Sequence, residues 1–179
     1  MNCAIRVATA IFLLTSAEVR ADPASDCNDG SNLTRQIRGC TQVIQKTLRS
    51  DAVSTAYMNR AIAYAQRGQY NKALADFTAA IHADGSNNFA YYNRGNIYLD
   101  MRKPRQAIAD YTKAVEIASD MSPALLNRAL AHEMLGEREE SIADFRAAVE
   151  LEPTLTAAYD GLKRLGATPR AEEGNAAAH

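Results

Sequence analysis

An Asn-Arg pair recurs three times in this chain at intervals of 34 residues: Asn59-Arg60, Asn93-Arg94 and Asn127-Arg128. Sixteen residues after each arginine stands an aspartate followed by an aromatic: Asp76-Phe77, Asp110-Tyr111 and Asp144-Phe145. A register kept through two steps without insertion means that one supersecondary unit is stacked three times, each burying its apolar face against the next. Alanines at helical spacing, no tryptophan and little proline inside the repeats make that unit helical.

The units run over 54–87, 88–121 and 122–155. Each opens with a helix, AYMNRAIAYAQRG in the first and AYYNRGNIYLDMR in the second. A polar turn follows at Gly68-Gln69, Lys103-Pro104 or Gly136-Glu137, and then a second helix: KALADFTAAIHA, QAIADYTKAVEIA or ESIADFRAAVELE. Gly85 and Pro153 are expected to end their helices; Ser119-Asp120 fills that place in the middle unit, and Pro123 opens the next helix.

This pattern resembles the tetratricopeptide repeat family across 54–155. Small residues stand where paired helices approach: Ala61, Gly95 and Ala129 on the first helix, Ala73, Ala107, Ala80, Ala114 and Ala148 on the second. Bulky ones fill the space between: Tyr57, Tyr91, Leu125, Phe77, Tyr111 and Phe145. Two positions depart mildly, Ser141 in an alanine column and His132 where Tyr64 and Tyr98 stand. The resemblance implies an all-α fold, an α-solenoid of three helix-turn-helix repeats, working by protein binding rather than catalysis.

The flanks read as caps. Leu33, Ile37, Cys40, Ile44 and Leu48 form one apolar stripe on a helix that Ser31 or Asn32 can cap, running to about Arg49. A shift of 34 lays Gly39-Cys40 over Ala73-Leu74 and Val43 over Phe77. Residues 22–53 are therefore expected as a capping segment, irregular over 22–30 and then the second helix of a degenerate repeat. Ala158-Tyr159 aligns with Ala124-Leu125, so 156–166 should be a capping helix. Lys163 and Arg164 suit the polar outer face of an end unit. The remainder, 167–179, is small and polar and is expected as a disordered tail.

Residues 1–21 have the pattern of a cleaved secretory signal peptide: a positive start, the apolar run VATAIFLL and small residues around Val19-Arg20-Ala21. The run is shorter than the ~20 apolar residues that span a bilayer, so no stable membrane insertion is expected. Leader and alanine-rich repeats resemble those of exported bacterial, periplasmic members of the family. In an oxidising compartment Cys27 and Cys40 form an even pair, expected as a disulfide; buried thiols are the alternative.

A formal net charge of −1 argues against a nucleic-acid partner. His82, His132 and His179 are scattered, and phosphate loop, serine elbow and zinc-type cysteine pairs are all missing from the sequence. No catalytic residue, metal, cofactor or small-molecule substrate is expected, and the chain is read as a non-enzyme.

The middle of one helix faces the middle of the next in a tight hairpin. Arg60–Asp76, Arg94–Asp110 and Arg128–Asp144 are thus expected as partly buried ion pairs that fix hairpin register. The family resemblance places Asn59, Asn93 and Asn127 on the inner concave surface, where an amide can grip a peptide backbone. The same amides can instead bond neighbouring helices and order the stack. Beside them Met58, Ile62, Tyr92, Asn96, Leu99, Leu126, Leu130 and Met134 make a mostly apolar strip, suited to an apolar or aromatic peptide. A family variant clamps a C-terminal carboxylate with lysines and arginines; here those places hold Met58, Ile62, Pro123 and Asn127, and only Asn93 matches.

The expected function is a non-catalytic adaptor or scaffold of the bacterial envelope that binds a protein partner's peptide or helix in the concave groove. Self-association as a structural subunit of an envelope assembly is the alternative, and a terminal segment of the same chain can also cover the groove.

Overall fold

The computed structural model describes residues 22–169. The leader expected over 1–21 and most of the tail, 170–179, lie outside the described residues. Those described form nine α-helices and no strand: α1 Pro23–Asn28, α2 Leu33–Lys46, α3 Ser50–Gln66, α4 Tyr70–Ala83, α5 Asn88–Asp100, α6 Pro104–Ile117, α7 Ser122–Leu135, α8 Arg138–Leu151 and α9 Thr156–Arg164. The helices pack as successive hairpins, α1/α2, α3/α4, α5/α6 and α7/α8, with α9 closing the end.

Each first helix of the three repeats stops in the same way. At the end of α3, Gly68 N–H donates to the Ala65 carbonyl (2.8 Å) and Gln69 N–H to that of Tyr64 (2.9 Å). Arg102 and Lys103 repeat this after α5, Gly136 and Glu137 after α7, and Gly166 and Ala167 after α9. The double bond ties the last helical carbonyls down, but the residue at its centre must adopt positive φ. Gly68, Gly136 and Gly166 do so freely; Arg102 does so at φ 56°.

The second helices end at one register, Ala83, Ile117 and Leu151, although Gly85, Ser119 and Pro153 follow them respectively. The expected breakers therefore do not set the end. It lies where the chain must turn back to begin the next first helix.

The core is built in layers one repeat deep. Phe77, Tyr111 and Phe145 are fully buried, as are the alanine columns at 56, 90, 124 and 158 and at 80, 114 and 148. Ala61 and Ala129 belong to the repeats with phenylalanine; Gly95 belongs to the repeat with tyrosine. A Cβ on Gly95 would stand 2.7 Å from the Tyr111 ring, so glycine is needed for that close approach. Successive first helices touch, α3 on α5, α5 on α7 and α7 on α9, and α1 lies against α3 in the same relation.

Two expectations at the N-terminus are corrected. The stretch expected to be irregular contains α1, with Asp22 accepting from the amides of Ala24 and Ser25 and Pro23 at the first helical position. The register of α2 also differs from the shift of 34. Leu33 corresponds to Tyr70 and Lys46 to Ala83, an offset of 37 residues. Gln36, Gly39 and Cys40 are buried where Ala73, Asp76 and Phe77 are buried in α4. The extra residues are taken up by α3, which begins one turn earlier than its repeat, at Ser50. Helix α2 accordingly stops at Lys46, capped at its start by Asn32, and Leu48 projects fully into solvent instead of joining the buried stripe.

Candidate protein-binding face

The arginine column faces away from the inner surface, into each hairpin. Arg60 Nε and Nη2 donate to the two carboxylate oxygens of Asp76 at 2.7 and 2.9 Å. Arg94 makes the same fork to Asp110 (2.8 and 2.7 Å) and Arg128 to Asp144 (2.7 and 2.7 Å). The free corner of each guanidinium reaches back to the preceding second helix: Arg60 to Thr41 Oγ1, Arg94 to Thr78 and Arg128 to Thr112, at 2.9 to 3.1 Å. The hydrogen bonds from each aspartate raise the arginine's pKa further above its usual value. Each arginine therefore bolts three helices, not two. The threonines were not singled out in the sequence, although Thr78 and Thr112 lie one repeat apart; Thr41 breaks that spacing because of the α2 offset.

The asparagine column splits. Asn59 Nδ2 donates to Asn28 Oδ1 (2.9 Å) and lies 3.4 Å from the Cys27 carbonyl, so α1 covers it. Asn127 Nδ2 donates to Asn96 Oδ1 (2.9 Å), which also accepts from the Tyr111 hydroxyl (2.8 Å). Both bonds bridge adjacent first helices across the same interval, 31 residues. For Asn93 that interval leads to Ile62, which has no acceptor. Its amide folds back onto its own helix, to the Phe89 carbonyl (2.8 Å). Burial raises the Tyr111 hydroxyl pKa well above its ordinary value, so it remains a donor.

The apolar strip is shallower than its composition suggests. Met58 and Ile62 lean on the Phe77 cluster, Tyr92 and Leu99 on the Tyr111 cluster, and Leu126 and Leu130 on the Phe145 cluster. All are half-buried, and Met134 is exposed. Phe89, not anticipated in the strip, is 56 % exposed one turn before Asn93. Helices α3, α5 and α7 hold no Lys or Arg besides Arg60, Arg94 and Arg128, each already forked to its aspartate.

The ends are held by polar clips. Buried Asp26 pairs with Arg35 (2.7 Å), the sulfurs of Cys27 and Cys40 stand 2.10 Å apart, and Gly39 lets the α1 backbone approach closely. At the far end Arg164 forks onto Glu133 of α7 (2.7 Å twice), and that bond lowers the Glu133 pKa below the usual carboxylate range. His132 in the tyrosine column meets Glu137 at 2.6 Å. Among the described residues no group of three or more His, Cys, Asp or Glu can hold a metal ion. No helix among them is long and apolar enough to cross a membrane.

Models of the tetratricopeptide repeat match the chain over 54–87, 89–121 and 122–155, in step with the three hairpins. The chain belongs to the tetratricopeptide repeat family. A search of curated proteins gives no match. Among solved structures it is similar to the OM64 TPR domain of Arabidopsis, at 35% identity and TM-score 0.63, covering 65% of this chain and 96% of that one. The first TPR of Spaghetti (RPAP3), bound to the HSP90 peptide SRMEEVD, is 25% identical with TM-score 0.63, covering 65% and 92%. The second TPR domain of human RPAP3, in complex with the HSP70 peptide SGPTIEEVD, is 29% identical with TM-score 0.59, covering 63% and 93%. The fold of MamA extends over more of the chain, 84% of each at TM-score 0.71 and 16% identity.

Seen as a tetratricopeptide repeat protein, the chain has a complete arginine–aspartate scaffold and an interrupted asparagine ladder. The middle repeat alone presents a ladder amide that makes no bond to a neighbouring helix among the described residues.

Proposed function

We propose that this chain is a non-catalytic adaptor that receives a neutral, apolar or aromatic segment of a protein partner on the inner face of its repeats. The observation that carries this reading is the middle repeat. Among the described residues Asn93 bonds only its own helix, exposed Phe89 lies one turn before it, and half-buried Tyr92 precedes it in α5. An amide offering both donor and acceptor reads backbone, whereas the apolar neighbours read side chains. A preformed face on rigid helices needs little reordering to bind, which favours affinity.

The RPAP3 domains engage peptides with acidic ends, EEVD. Helices α3, α5 and α7 carry no Lys or Arg free of an aspartate, so an acidic tail finds no counter-charge on the face these three present. The partner chemistry in the groove is therefore apolar. We also assign the protein to the bacterial envelope as an exported adaptor with a Cys27–Cys40 disulfide. The leader pattern of 1–21 and the proximity of the two buried sulfurs support this.

A photoreactive residue at position 92, introduced in cells, tests the reading. Crosslinks to one partner protein, lost on Asn93→Ala with Phe89→Ser, are expected. No crosslink from position 92, or crosslinks unaffected by those substitutions, would refute the role given to Asn93 and Phe89.

A further inference from the structure

The edge of the solenoid formed by the turns between first and second helices carries a charge pattern unrelated to the inner face. In the first turn stand Arg67 and Lys72; in the second, Arg102, Lys103 and Arg105 against Asp100. The third turn inverts this, with Glu137, Glu139 and Glu140 against Arg138. The first two turns are neighbours in space. A cleft of about 380 Å³ opens between them, lined by residues 68–72 of one and by Met101 of the other. Lys72 lies along its wall over the Tyr64 ring, and the chain runs directly from Met101 into Arg102 and Lys103. Arg102, Lys103 and Arg105 are exposed or at a helix start and take no carboxylate partner among the described residues.

Arg102 is the informative residue. It holds φ 56° at the position where the equivalent turns use Gly68, Gly136 and Gly166. A side chain there strains the backbone, and glycine would relieve it. Strain of this kind, kept where three sister turns avoid it, marks a position held for something other than the fold.

We propose that this basic edge of repeats 1 and 2 docks an acidic peptide segment, Asp- or Glu-rich, belonging to the partner whose apolar segment occupies the inner face. The proposal rests on that groove reading for the identity of the partner, but the edge binds on its own charge. The acidic third turn repels the same segment, so the partner lies along the solenoid in one direction, its acidic part toward the N-terminal repeats.

The test uses two probes on the purified, isotope-labelled protein. A short oligoglutamate peptide at low salt is expected to shift the amides of residues 67–72 and 101–105 and to leave 137–140 unmoved. The effect should fade at high salt, because exposed charges are screened over about 10 Å at 0.1 M. Arg102→Gly should raise the melting temperature by a few degrees and weaken oligoglutamate binding about threefold, as expected for one exposed charge. Arg102→Glu with Lys103→Glu should abolish binding while the protein stays folded. No shift with oligoglutamate, equal shifts with oligoglutamine, or unchanged binding in Arg102→Gly would each overturn the proposal. Shifts at both 101–105 and 137–140 that grow with protein concentration without peptide would also overturn it, showing the edge to be a contact between two copies. An uncharged apolar peptide that shifts Tyr92 and Asn93 reports the groove separately, so either reading can fail without the other.

Discussion

Breaking the central ion pair should separate register from simple attraction. Arg94 is 17% and Asp110 7% exposed at the side chain, and the guanidinium has a third bond to Thr78. Asp110→Ala leaves a largely buried guanidinium without its counter-charge, and Arg94→Ala leaves the carboxylate in the same state. Losing one partner of a buried pair costs about 3 to 5 kcal/mol, and the residual exposure puts both variants near the lower figure. The double change removes both desolvated charges together. It should cost about 2 kcal/mol or less, since replacing a buried pair by apolar groups is often close to neutral. The coupling energy is then several kcal/mol, far outside the scatter of about 0.5 kcal/mol seen for independent sites. Urea unfolding followed by circular dichroism measures all four corners of the cycle. The exposed pair Arg49–Asp51, at 78% and 64% exposure, is the control, and its truncation should leave stability almost unchanged. Additive losses for Arg94 and Asp110 would refute the reasoning: the arginine column would then be decoration on a stack held by its alanines.

Gly95→Ala should destabilise by about 1 to 3 kcal/mol through collision with the Tyr111 ring carbons; adding Tyr111→Phe keeps those carbons but frees the ring from the hydroxyl's bond to Asn96, so the double variant should recover part of the loss, and thermal melts of both single variants and the double decide. Reduction, or Cys27→Ser with Cys40→Ser, should cost on the order of 3 kcal/mol for a crosslink of this span and speed amide exchange in α1 while α5 to α8 stay protected. Thiol labelling of the protein freshly isolated from cells should find these two sulfurs unreactive until reductant is added. Glu133 is held below the ordinary carboxylate range by Arg164, so its contribution to docking α9 is full above the unfolded-state pKa and is lost as pH falls through the folded one. Protection of the α9 amides, taken relative to their intrinsic exchange rate at each pH, should fall on acidification below about pH 4 in the parent, and Glu133→Gln should abolish that fall.

The repeat register was legible because it is written three times in columns, each residue type meeting the same neighbours. Arg, Asp, Ala and the buried aromatics could be placed from spacing alone for that reason. Helix α1 could have been found from Asp22-Pro23, a cap followed by the residue that favours a first helical position, but six residues show no apolar period to notice. The α2 offset was hidden by the uniform shift of 34. Cys40 reads as plausibly over Leu74 as over Phe77 when only hydrophobicity is compared. The bond from Arg60 to Thr41, repeated by Arg94 and Thr78, distinguishes the two registers.

The solenoid is already written in the order of residues: its repeat length, its three hairpins and the outward sorting of polar residues. These follow from contacts made within one unit, which a periodic string repeats in full. What the asparagines do depends on how the hairpins pack. Asn59, Asn93 and Asn127 are alike in sequence context, yet two are tied to Asn28 and Asn96 while the third, with Ile62 at the corresponding position, bonds its own helix at Phe89. That difference resides in the neighbouring helix, not in the residue, because an amide's role is fixed by the acceptor that packing brings within about 3 Å.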